Sequence, residues 1–336
     1  MEIHFELRVM KRIGLAFCAL LLLLGIGARP VAAYPYYAQM AYDNPREATG
    51  KIVCANCHLN AMPTRAEVPQ AVTPGQVFTI KVGIPYDLSK QQVLADGSKG
   101  GLNVGAVVVL PEGFRLATEA EMTEEQRQET AETYITPYSD TKPNILLVGP
   151  LPGEQHQEIV FPVVAPDPKE DPSVAFMKYR VYIGANRGRG QLNPDGSLSN
   201  NNVFRAPASG RLVNIATLNS DISDLPAELA SLVPPEYELP GTRILSFETE
   251  SGIQNLVVPP GPELVVSIGD SVKEGDAVTN NPNVGGFGQV ERDLVLQSPD
   301  RVKWLVAFLA AITITQVLLV LKKKQVELIQ AAEILG

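Results

Sequence analysis

Hydrophobic positions along the 336 residues fall into three textures. Near the start, Lys11 and Arg12 precede an apolar run from Ile13 to Gly27. Near the end, Trp304 to Leu321 is apolar apart from Thr313, Thr315 and Gln316. Between them lie short β-rich runs separated by Pro, Gly, Asn and Asp: Val77 to Val82, Val104 to Leu110, Asn144 to Val148, Glu158 to Val164, Lys178 to Ile183 and Asp293 to Leu296. Such runs predict strands of a sandwich, hence an all-β fold. The best helix signal is Thr118 to Thr133, where Thr123-x-x-Gln126 has the form of a capping box on a charged segment.

The two terminal runs set the expected topology. Val31-Ala32-Ala33 supplies the small-residue pattern of a signal peptidase site, so residues 1–33 read as a signal peptide. Cleavage after Ala33 makes Tyr34 the mature N-terminus. A retained anchor is the alternative, but the run is short for a span of about 20 residues. The second run has 18 positions, and at ~1.5 Å per residue covers about 27 Å. Adding Val302, with Lys303 snorkelling, gives a transmembrane helix over 302–321. Lys322-Lys323-Lys324 begins a tail, 322–336, that the positive-inside rule keeps cytoplasmic. Residues 34–301 are then the exported body.

Charge narrows the classes of partner. The whole chain has 28 basic and 37 acidic residues, of which 20 and 33 fall in the exported body, a net charge of −13. A surface this acidic argues against nucleic acid. It favours a docking partner with a neutral or basic contact face, through a field that fades beyond a Debye length of ~8 Å.

Candidate chemistry is concentrated in Cys54-Ala55-Asn56-Cys57-His58, a C-x-x-C-H motif. Two thiols at this spacing form thioethers to both vinyl groups of one porphyrin, and the adjacent imidazole becomes the proximal iron ligand. A structural zinc site needs four clustered Cys or His. The chain has three of each, and Cys18 and His4 lie in the signal segment. One covalently bound haem c is therefore the expected cofactor. The second axial ligand stays open among His156, Met40, Met62, Met122, Met177 and an N-terminal amine exposed by cleavage. Chain reach excludes none of them.

Two further stretches suggest a smaller unit. Ala206 to Val213, and Val265 to Val278 with its Gly269-Asp270 and Gly275-Asp276 turns, look like the opening and closing strands of a lipoyl-type barrel-sandwich. No lysine sits where a swinging cofactor would be carried. The expected division is a large haem-binding sandwich over 34–201, the small barrel-sandwich over 202–282, and a return to the large unit over 283–301. Leu218 to Pro240 is a long acidic, Pro-containing insertion.

Taken together, these stretches resemble the cytochrome f family over almost the whole mature chain. The resemblance is carried by Tyr34-Pro35-Tyr36-Tyr37-Ala38-Gln39, Cys54 to Leu59, Gly101 to Ala106, Gly149-Pro150-Leu151-Pro152-Gly153-Glu154, Asn186 to Gln191, Asn281 to Gln289 and Leu321 to Gln325. It implies an elongated immunoglobulin- or fibronectin-like sandwich carrying the haem, with the small barrel-sandwich inserted and one C-terminal membrane helix.

The same resemblance implies that the second axial ligand is the α-amino nitrogen of Tyr34. It also implies that Pro35 and Tyr37 line the haem crevice, and that Gln92, Asn186, Gln191, Asn201 and Asn283 hold an internal chain of waters. Its functional implication is an electron carrier, not an enzyme. The electron comes from the Rieske iron–sulfur protein, within a dimeric complex that includes cytochrome b6, and goes to plastocyanin or a soluble c-type cytochrome. The implied location is the thylakoid membrane, or the plasma membrane of a cell lacking thylakoids, with the bulk lumenal. Two departures stand out. Gln91, Ser98 and Lys99 occupy positions where plant relatives carry a lysine cluster, with only Lys90 nearby, which favours a cyanobacterial partner; and Asn193 replaces a tyrosine usual near the haem.

Overall fold

The structure is a computed structural model and describes residues 36–335. The expected signal peptide lies outside the described residues. Two antiparallel sheets form the main body. One has four strands in the order Arg65–Glu67, Val77–Gly83, Glu158–Val164, Arg115–Leu116. The other has six, in the order Ala71–Val72, Gly286–Leu296, Lys178–Arg187, Asn103–Val109, Lys142–Pro152, Thr136–Ser139. Only the pairing of Gly286–Leu296 with Ala71–Val72 is parallel among these.

Packing of the two sheets explains their different sequence textures. Val77–Gly83 buries alternate residues, Phe78, Ile80 and Val82, because one face meets the core and the other is more open. Asn103–Val109 is buried almost throughout. Val104, Ala106 and Val108 enter the core between the sheets with Phe161, Leu146 and Ile183. Val107, in the opposite phase, enters a second cluster with Ile52, Tyr138, Ile145, Leu147 and Phe287. The six-stranded sheet is thus covered on both faces, and its outer cover is the segment around Cys54 and Ala55. Burying each such aliphatic or aromatic side chain contributes roughly 1.5–3 kcal/mol.

All six strands expected in this body are present, several extended: Asn144 to Val148 lies within Lys142–Pro152, and Asp293 to Leu296 within Gly286–Leu296. The helix is shorter than its pattern. Only Glu124–Thr130 is helical, with Thr123 as its cap. Gln126 N donates to Thr123 Oγ1 at 3.2 Å and Thr123 N to Gln126 Oε1 at 3.0 Å. Thr118 to Met122 forms turns instead, because Glu121 accepts from Thr118 N and from Arg115.

A third sheet orders Gly252–Val258, Arg243–Thr249, Gly210–Thr217 and Ser271–Val272 around Leu212, Leu245, Phe247, Val258 and Val278. Asp270 and Asp276 each cap a turn, accepting from Ser267 N and Lys273 N at 2.8 Å. The hairpin formed by Arg243–Thr249 and Gly252–Val258 lies outside the strands read from the sequence. The acidic insertion folds as short helical turns on a core of Leu218, Leu225, Val233 and Ile244. Its Tyr237 hydroxyl donates to the carbonyl of Leu198, and Asn200 Nδ2 donates to Pro260 O at 2.9 Å. These bonds tie the third sheet to the body.

Pro299–Leu335 is a single 37-residue helix, long and apolar enough to cross a membrane, with its apolar side chains exposed from Val302 to Ile334. It continues through Lys322 to Lys324 without a break.

Candidate functional site

Ile52 and Val53 anchor the site. Both are buried, Ile52 N donates to Gln289 Oε1 at 3.0 Å and Val53 N to Pro45 O at 2.8 Å. The chain then tightens into a 3₁₀ turn, Val53–Asn56. The carbonyl of Cys54 accepts from Cys57 N at 3.3 Å and His58 N at 3.0 Å, so one turn carries both thiols and the imidazole. Neither thiol is in a disulfide.

Burial decides the protonation of this turn. It pushes the Cys54 thiol up to about 12 and raises Cys57 as well, so both stay protonated at neutral pH. The same desolvation lowers His58 to about 4, leaving a neutral imidazole with a free lone pair. His58 Nδ1 is enclosed and has no partner among the described residues. Two unpaired thiols and a neutral imidazole on one turn fit a covalently held c-type haem.

A second segment closes over the turn. Gln191 N and Leu192 N donate to Cys57 O at 2.8 and 3.3 Å, and Leu59 N donates to Gln191 Oε1 at 2.7 Å. Gly190 lies so close that a Cβ there would meet Cys57 O at 3.2 Å. Asn193 closes the following turn, with Nδ2 donating to Ser197 Oγ at 2.9 Å.

The five amides gather on this segment. Arg189 N donates to Gln92 Oε1 at 2.8 Å, and Arg189 O accepts from Asn201 Nδ2 at 2.8 Å and Gln191 Nε2 at 3.3 Å. Asn201 Nδ2 also donates to Asn283 Oδ1 at 3.1 Å, and Asn186 Nδ2 donates to Gly188 O at 3.3 Å. Asn201 Oδ1 is buried without a partner among the described residues.

The N-terminal segment arrives on a third side. Tyr36–Ala41 is a short helix bearing the exposed Tyr37. Gln39 Nε2 donates to Tyr138 O at 2.7 Å, and Asn56 Nδ2 donates to Tyr42 Oη at 3.1 Å. Tyr34 and Pro35 lie outside the described residues. Tyr138, absent from the sequence reading, is the tether of this helix, and Thr-Pro-Tyr-Ser carries no motif that singles it out. His156 sits in the turn between Lys142–Pro152 and Glu158–Val164.

Comparison with known proteins decides the family. Models of the N-terminal and C-terminal parts of apocytochrome f match residues 34–188 and 200–335. The chain is 96% identical over 327 residues to cytochrome f of Synechococcus sp. (strain JA-2-3B'a(2-13)), covering 97% of this chain and 100% of that protein. It is 58% identical over 301 residues to cytochrome f of Thermosynechococcus vestitus, covering 90% and 91% of the two chains. The chain belongs to the cytochrome f family.

Cytochrome f is an electron-transport subunit of the photosynthetic cytochrome b6-f complex, and its family implies a c-type haem. With the apolar helix Pro299–Leu335, this member is a single-pass membrane protein. The mostly β architecture with one such helix is that of the family.

Proposed function

We propose that Cys54 and Cys57 hold one haem c through thioethers, that His58 is its proximal iron ligand, and that the α-amine of Tyr34 is the ligand opposite. The observation that carries this reading is the single 3₁₀ turn that presents two free thiols beside an imidazole. Bound there, the haem supplies one-electron redox chemistry. Thioether formation consumes the two S–H bonds, so thiols kept protonated by burial are no obstacle to the attached product. A neutral His58 donates its lone pair without first losing a proton. An α-amine ordinarily titrates near 7.7–8.0, so freeing one for the iron at pH 7 costs only about 1 kcal/mol. Pro35 and Tyr37 form the crevice wall in this reading.

The amides Gln92, Asn186, Gln191, Asn201 and Asn283 hold a chain of ordered waters in this reading. Support comes from His58 Nδ1 and Asn201 Oδ1, two enclosed polar atoms without a partner among the described residues that water can satisfy.

The protein takes an electron from the Rieske iron–sulfur protein beside cytochrome b6 in a dimeric complex, and delivers it to plastocyanin or a soluble c-type cytochrome. Residues 34–201 and 283–301 form the haem-bearing unit and 202–282 the smaller one. The body faces the lumen of a thylakoid, or the exported side of the plasma membrane where thylakoids are lacking, and 322–336 is cytoplasmic. Denaturing mass spectrometry of the purified protein tests the attachment. The expected mass exceeds the mature polypeptide by one haem, and the adduct is absent from a Cys54→Ala/Cys57→Ala variant. A bare polypeptide mass in the unaltered protein overturns the reading.

A further inference from the structure

A cavity of about 480 Å³ opens beside the end of Asn103–Val109, and Cys54, Cys57 and His58 are not among its lining residues. Its wall includes Arg46, Arg115, Lys142, Thr141, Tyr182 and Glu112. Three cations to one carboxylate is an unusual balance on a body whose net charge is −13.

The cations differ in what they already hold. Arg115 is committed, making a two-pronged pair with Glu121 at 2.6 and 2.9 Å. Arg46 is not. Its guanidinium carbon lies 3.7 Å from the centre of the Tyr182 ring, so the stack fixes the plane while leaving the N–H edge unused. Arg46 Nε is enclosed and has no acceptor among the described residues. Lys142 is half-buried and forms no ion pair among the described residues. The one lining acid, Glu112, is exposed to solvent. A guanidinium whose plane is fixed by the Tyr182 stack and an ammonium without an ion pair, on one concave wall, lack a group that accepts several hydrogen bonds and carries negative charge.

We propose that this cavity binds a small oxyanion, a phosphate or a carboxylate, with Arg46 supplying the planar two-donor contact and Lys142 the second charge. The site is independent of the haem ligands, so it stands or falls separately from the assignment of the iron site.

Calorimetric titration of the full-length, haem-loaded protein in detergent tests it, with inorganic phosphate in one series and succinate in another. Saturable binding of one anion per chain is expected. It weakens about tenfold or more in Lys142→Gln and in Arg46→Gln, as loss of a charge-assisted contact requires, and is unchanged in Lys273→Gln, which removes an exposed cation elsewhere. Binding of phosphate alone, or of succinate alone, supports the site and names its source. Lys142→Gln keeps the test valid if Arg46→Gln disturbs the Tyr182 stack. Absence of saturable binding of both anions at millimolar concentration, or undiminished binding in Lys142→Gln, overturns the proposal.

Discussion

Tyr138 Oη lies 2.7 Å from the carbonyl oxygen of Ala38 and 2.5 Å from that of Tyr42, so one phenolic proton fastens both ends of the last turn of the N-terminal helix to the six-stranded sheet. Tyr138 is itself packed with Ile52 and Phe287. The Tyr138→Phe variant keeps that packing and loses the hydrogen bond. The expected cost is about 1 kcal/mol in chemical denaturation. Because the same helix leads back to Tyr34, carbon monoxide binding to the reduced protein is expected to rise in the variant; stability and carbon monoxide binding both equal to the unaltered protein's would count against the tether.

Among the described residues Arg187 is the largest fully buried side chain, and of its nitrogens Nη2 alone is satisfied there, donating to Pro63 O at 2.7 Å. Nε and Nη1 have no partner among the described residues, and desolvation lowers its pKa to about 10. An apolar side chain of similar length removes the desolvation cost while keeping most of the volume. Arg187→Met is therefore expected within about 1 kcal/mol of the unaltered protein or above it. Arg187→Ala, which also leaves a cavity, is expected to lose about 2–4 kcal/mol. Urea midpoints of the two variants decide, and equal losses in both would show that the charge itself stabilises the fold.

Glu121 gives the clearest pH dependence. Hydrogen bonds from Arg115, and then from Thr118, hold its carboxyl well below the usual carboxylate range. A folded pKa below the unfolded one stabilises the protein above the unfolded value near 4.3, and that contribution is lost as pH falls toward the folded value. The stability difference between the unaltered protein and Glu121→Gln should be constant from pH 8 to 6 and shrink below about pH 4.3. Thermal melts across that range would contradict this if the difference grew on acidification.

Gly288 faces the segment that follows His58. A Cβ there would overlap Met62 O, a backbone carbonyl that cannot swing aside, and would lie 2.5 Å from the Thr64 side-chain Oγ1. Gly288→Ala is expected to cost about 1–3 kcal/mol or more by overpacking. The displaced 60–64 segment should also change the haem absorption band. A variant with unaltered stability and spectrum would show that the segment shifts freely.

Much of this architecture is local and so could be read from the chain. The C-x-x-C-H turn needs only five consecutive residues, and the alternation in Val77–Gly83 follows from one buried face. The helix at Glu124–Thr130 was legible at its Thr123 cap, while its extent was not, because Arg115 and Thr118 hold Glu121 in a preceding turn. Tyr36–Ala41 left no periodic signal, since six residues with no buried side chain are held by Tyr138, about a hundred residues away. The convergence of Gln92, Gln191, Asn201 and Asn283 is equally non-local. Spacing cannot show that Arg189's backbone joins the first three, or that Asn283 adds to them through Asn201. Their grouping came from the family resemblance.

The central claim, an iron held by His58 and the amine of Tyr34, is tested most directly by electron paramagnetic resonance and optical spectra of the mature full-length protein. Spectra are taken oxidised and reduced, with and without carbon monoxide, and compared with a variant carrying one extra residue before Tyr34. The account predicts a low-spin c-type spectrum indifferent to carbon monoxide, and a perturbed spectrum in the extended variant. A high-spin iron, ready carbon monoxide binding, or an extended variant with an identical spectrum would contradict it.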